Sequence, residues 1–117
     1  VTDLNRLWHV TVTVAGCDYD AKGVERALTR LADEQPFLHS MRYGASSAEL
    51  RYWEEANGML DAASLALRLW REHRASCGLP DWEVVGLEVL ERETFQHRGP
   101  SGVPSGVGLP GSVPRPF

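Results

Sequence analysis

The sequence predicts an α+β domain with the element order β-α-β-β-α-β. Three observations carry that prediction. Apolar and polar residues alternate in four short segments, near 7–15, 37–43, 48–54 and 82–90. Two other segments, near 20–34 and 59–75, repeat apolar residues at helical spacing. Gly, Pro, Asn and Asp punctuate the joins between them.

Leu7 to Ala15 reads LWHVTVTVA, in which Trp8, Val10, Val12 and Val14 alternate with His9, Thr11 and Thr13. This is a half-buried strand with β-branched residues on both faces. Gly16-Cys17-Asp18 breaks it, and Asp18 or Asp20 can cap the next helix by accepting its free backbone N–H groups. In that helix Val24, Ala27, Leu28 and Leu31 make one apolar stripe, and Pro36 stops it. Phe37 to Tyr43 reads as a second strand, with Phe37, His39, Met41 and Tyr43 on one face. Gly44-Ala45-Ser46-Ser47 is turn chemistry. Ala48 to Glu54 is therefore the second arm of a hairpin, with Leu50 and Tyr52 opposite Glu49, Arg51 and Trp53.

Asn57-Gly58 opens the second helix, Met59 to Ala75, whose expected core face is Leu60, Ala63, Leu67, Trp70 and Arg74. Leu65 and Leu69, beside Ala62 and Ala66, form a second apolar edge, expected against the first helix. Arg71, His73 and Arg74 sit near the C-terminus, where the helix dipole favours positive charge. Gly78 and Pro80 end the helix. Trp82 to Leu90 is a fourth strand, with Val85, Leu87 and Val89 on its expected core face.

That order is the split βαβ, ferredoxin-like plan: a four-stranded antiparallel sheet with two helices on one face. In layout the chain resembles small-molecule regulatory (ACT-like) domains and dimeric α+β barrels. The plan itself hosts many unrelated functions. Residues 1–98 are expected as a single α+β domain. Residues 99–117, rich in Pro and Gly and poor in core formers, are expected as a flexible tail.

Composition narrows the function classes. The chain has 117 residues, 43% hydrophobic and 24% charged, which suits one globular core. No apolar run approaches the ~18 residues of a membrane span. Cys17 and Cys77 are too few for a disulfide framework, and no signal pattern opens the sequence, so a cytoplasmic location is expected. A net charge of −4 argues against a general nucleic-acid binder. The third strand, AELRYWEEA, lacks the glycine and stacking pattern of an RNA-recognition sheet.

Candidate sites follow from the topology. With Trp8, Val10, Val12 and Val14 on the helices, the open face carries His9, Thr11 and Thr13. Beside them come Ser40, Arg42, Glu49, Arg51, Trp53, Val84, Gly86 and Glu88. Such a face can pack on a second copy, line a small-molecule cleft with Trp53 and Arg51 as contacts, or stay solvated. The ligand or interface residues expected here are His9, Thr11, Arg42, Arg51 and Trp53. Cys17, Asp18, His73 and Cys77 should gather near one end of the sheet, and their side chains are the right types for a transition metal. The plainer reading makes Cys17 a loop residue, Asp18 a cap and His73 a dipole partner. His9, His39 and His97 form a second candidate cluster, in which the parity of His39 suggests a core-facing ring. No G-x-S-x-G elbow is present. Asp18 and Asp20 would repel phosphate from the loop that opens the first helix, and Arg26 falls beyond its first turn, where an acylphosphatase-like activity would want an arginine in the loop itself.

The resulting expectation is a non-catalytic module without a cofactor. It homodimerises through its open face and binds a partner or small ligand. The alternative is a small metal-binding protein or enzyme that uses the Cys/His/Asp cluster.

Overall fold

The structure, a computed structural model, describes residues 6–35, 37–94 and 113–117. Pro36, His97 and residues 99–112 of the expected tail lie outside the described residues. The elements are β1 (Arg6–Ala15), α1 (Ala21–Glu34), β2 (Leu38–Tyr43), β3 (Ser47–Ala56), α2 (Met59–Cys77), β4 (Glu83–Glu91) and β5 (Arg115–Pro116). A helical turn at 92–94 follows β4. The fold class is α+β, as expected.

The sheet departs from the clean four-stranded antiparallel, ferredoxin-like plan. It has five strands in the order β4-β1-β3-β2-β5 and is mixed. β1 pairs antiparallel with β3 and β4, and β3 pairs antiparallel with β2. β5, from the end of the Pro/Gly-rich segment, pairs parallel with β2, setting Arg115 beside Arg42 and Pro116 beside Tyr43. The backbone N–H of Phe117 also donates to the Tyr43 carbonyl at 2.9 Å. A segment poor in core formers still supplies backbone groups, and the outer edge of β2 offers them partners.

Both helices pack on the face that carries Val10, Val12, Val14, Leu50, Tyr52 and Met41. α1 buries the four residues expected of it, Val24, Ala27, Leu28 and Leu31. The Asp20 carboxylate caps it by accepting from Gly23 N–H at 3.1 Å. α2 is turned from its expected orientation. It buries Ala62, Ala66, Leu69, Trp70 and Cys77, while Leu60 and Leu67 are exposed. The alanines let the helix axis approach the sheet closely, and Trp70 fixes the rotation. Its Nε1–H donates to the Pro80 carbonyl at 2.9 Å, and its ring stacks on Trp82 with centroids 6.0 Å apart. Gly78 ends α2 in the left-handed region at φ +75, where glycine costs least.

Trp82 ties the far end of the fold together. Its Nε1–H donates to the Cys17 carbonyl at 2.8 Å, and its ring leaves no room for a Cβ at Gly16.

Two register shifts redirect side chains. Between β2 and β3, Leu38 opposes Tyr52 and Ser40 opposes Arg51, so His39 is the extra residue of a bulge. Leu38, not Phe37 or His39, then completes the core face with Met41 and Tyr43. Between β1 and β4, Thr13 opposes Gly86 and Val14 opposes Val84, so Val85 is extra. Val84, expected on the open face, packs against the core, and Val85, expected in the core, is exposed.

Candidate functional site

The open face is built by β1, β3 and β2 at its centre. Thr11 stands between Arg51 of β3 and Glu88 of β4, and Arg42 lies opposite Glu49. Arg51 Nε is 3.4 Å from Glu49 Oε1, an exposed pair that contributes little to stability. The Arg42 guanidinium lies 5.9 Å from the centre of the Phe117 ring.

At one end of this face stands an aromatic cluster. His9 is buried, its Nε2 lies 2.8 Å from Nε2 of His39, and its ring meets Trp53 edge-on at 5.0 Å. The β2 bulge brings His39 there. Strict alternation would have sent it into the core. One imidazole of the pair donates and the other accepts, so the bond requires at least one neutral ring. Burial, with the nearby charge of Arg51, holds the His39 pKa below its ordinary value.

Trp53 also borders a groove of about 400 Å³ between α2 and the α1–β2 connection. Gln35 and Phe37 form one rim, and Trp53, Glu54 and Glu55 line it from the end of β3. Leu65, Leu69, Glu72 and His73 line it from α2. Phe37 has φ +67, a left-handed backbone that costs a non-glycine residue roughly 1–2 kcal/mol. Its ring is 74% exposed, while its carbonyl accepts from Trp53 N–H at 3.2 Å. The strained backbone thus holds an aromatic ring at the rim. Burial raises the Glu54 pKa above the ordinary carboxylate value, and the charge of Glu55 adds to the rise. Arg68 is the cation recorded near Glu72, at 3.9 Å and one helical turn away. Two leucines, two aromatic residues and three carboxylates along one groove suit a ligand with an apolar body and a positive charge.

His73 belongs to a second group. Its Nδ1 lies 2.8 Å from Oε1 of Glu34, the last residue of α1, and the Ser76 hydroxyl donates to the same oxygen at 2.7 Å. The buried Cys77 thiol adjoins both, and the donor atoms of Glu34, His73 and Cys77 all lie within 4.8 Å of one another. Hydrogen bonding, first from His73 and then from Ser76 and Cys77, lowers the Glu34 pKa to about 2. Burial, and then the hydrogen bond to Glu34, raises the Cys77 pKa to about 11. His73 and Cys77 come together as their helical spacing of four predicts, but with Glu34 rather than with Cys17 and Asp18. Cys17 is exposed, and its carbonyl is engaged by Trp82.

Of the face residues expected from sequence, the structure places His9 and Trp53 in one cluster and Thr11, Arg42 and Arg51 farther along the strands. Sequence reasoning does not reach Glu34 and Glu72, and it takes Phe37 and Leu65 as packing residues only. The available signal for the groove was the pairing of an acidic dipeptide with Trp53 at the end of a strand.

The chain belongs to a family described as a domain of unknown function (DUF8830), whose pattern matches residues 7–105. No curated protein and no solved structure matches it. No helix among the described residues is long and apolar enough to cross a membrane.

Proposed function

We propose that this DUF8830 domain is a non-catalytic binding module that takes a small organic cation in the groove beside Trp53. The observation that carries the reading is the gathering of Phe37 and Trp53 with Glu54, Glu55 and Glu72, beside Leu65 and Leu69, along one groove. The volume falls within the roughly 300–1,000 Å³ of small-molecule sites. The net charge of −4 favours the approach of a cation. The strained backbone at Phe37 supports a role for its exposed ring beyond packing.

Calorimetric titration with phenethylamine, an apolar amine, tests this. Binding is expected to weaken with salt and as acid protonates Glu54, whose pKa is raised by burial. Glu72→Gln should weaken binding about fivefold to tenfold, the scale of one lost charge contact. Phe37→Gly should weaken it while leaving stability nearly unchanged, because relief of the left-handed strain offsets the added chain entropy. Equal affinity for 3-phenylpropionate, the matching anion, would overturn the reading.

The open face is proposed as a surface for self-association. The ferredoxin-like order of its first four strands supports this, as does a polar, β-branched strip at Thr11 and Thr13 that no described helix covers. Light scattering across a dilution series should then give a dimer that Arg51→Glu weakens. A monomer at every concentration would end this part of the reading. The two free cysteines fit a reducing compartment such as the cytoplasm.

A further inference from the structure

We propose that Glu34, His73 and Cys77 form a binding site for a divalent transition-metal cation of the zinc class. Carboxylate, imidazole and thiolate are the donor types that such an ion takes. Two of the donors stand four residues apart on α2, so one turn of one rigid helix presents both. The third comes from the end of α1, packed across from that turn. The site therefore rests on two helices rather than on a loop.

The geometry is close to what an ion needs. The three donor atoms lie within 4.8 Å of one another. Zinc bonds of about 2.0–2.3 Å in a tetrahedron imply donor separations of roughly 3.3–3.7 Å. Small side-chain rotations close that difference. Three protein donors leave a fourth position, and the exposure of Glu34 directs it toward solvent.

The surroundings are also arranged for it. The Ser76 hydroxyl donates to Oε1 of Glu34 and orients the carboxylate, the kind of supporting contact that fixes a metal ligand. One carboxylate and one thiolate neutralise a divalent ion with a neutral imidazole. On binding, the S–H bond of Cys77 breaks and its proton passes to solvent. His73 keeps a single N–H, moved to Nε2, so that Nδ1 can coordinate. No electron is transferred.

Titration of cobalt(II) into the full chain under mild reductant tests the proposal. The expected result is one equivalent bound, with a sulfur-to-cobalt charge-transfer band and the strong visible absorption of a tetrahedral ion, both displaced by zinc. Cys77→Ser should abolish the charge-transfer band and Cys17→Ser should leave it intact. Glu34→Gln and His73→Gln should each weaken binding tenfold or more, in line with the loss of one ligand. Absence of the band in the unmodified chain, or its loss in Cys17→Ser with retention in Cys77→Ser, would overturn the proposal. If Cys77→Ser does not fold by circular dichroism, Glu34→Gln decides, because that side chain is exposed, and unchanged affinity there also overturns it. His73 is shared with the groove, so the two readings are separated by Glu72→Gln, which should leave cobalt binding unchanged.

Discussion

The Tyr52 hydroxyl is buried, and among the described residues it has no hydrogen-bond partner. Burial pushes its pKa far up, with the charge of Glu54 adding to it. A buried, unpaired hydroxyl costs about 1–3 kcal/mol. Tyr52→Phe should therefore raise stability by about 1 kcal/mol, read as an upward shift in the urea midpoint without a change in slope. Glu34 acts in the opposite sense. Its pKa is lowered from 4.5 to about 2 in the folded chain, so the unfolded chain binds more protons in that interval. Its contribution is present above pH 4.5 and is lost as pH falls toward 2. Glu34→Gln should flatten the pH dependence of the melting temperature across that window.

Elements differ in how far their sequence determines them. α1 was legible because it has one apolar stripe and no competitor. α2 was not, because Leu60 and Leu67 lie on one side while Ala62, Ala66 and Leu69 lie on another. Apolar size favours the leucines, whereas the sheet lies close enough to require the alanines. Packing decides such a case, and periodicity does not. Leu67→Lys should then change stability by less than about 0.5 kcal/mol. Ala66→Leu should destabilise by about 1–3 kcal/mol through overpacking. Thermal unfolding of the two variants reads this directly, and the reverse order would return α2 to its expected rotation. The strand faces were legible wherever alternation is unbroken, as in β1 and β3. They failed at His39 and Val85, where one extra residue shifts everything on one side of it to the opposite face. The aromatic cluster depends on the first of those bulges, so its full membership could not be read from parity.

For the whole molecule, the sheet is longer than the sequence suggested. β4 and β5 stand at its two edges, and Pro114, just before β5, is buried. Backbone pairing leaves no hydrophobic trace, which is why the end of the Pro/Gly-rich segment read as tail alone. Removing residues 113–117 should lower stability by about 1 kcal/mol, the scale of one or two backbone hydrogen bonds. It should also bare the edge of β2, promoting association between copies in light scattering. The four-residue spacing on α2 sets His73 beside Cys77. It could not supply Glu34, which lies 39 residues from His73 and meets it only through the packing of α1 on α2.

The central claim is that an acidic, aromatic groove beside Trp53 receives a cation. Its most direct test is the indole N–H resonance of Trp53, assigned with Trp53→Phe among the four tryptophans and followed by NMR during addition of phenethylamine. The account predicts a saturable shift of that resonance that 3-phenylpropionate does not produce. A resonance that stays fixed, or that moves equally with the anion, would contradict it.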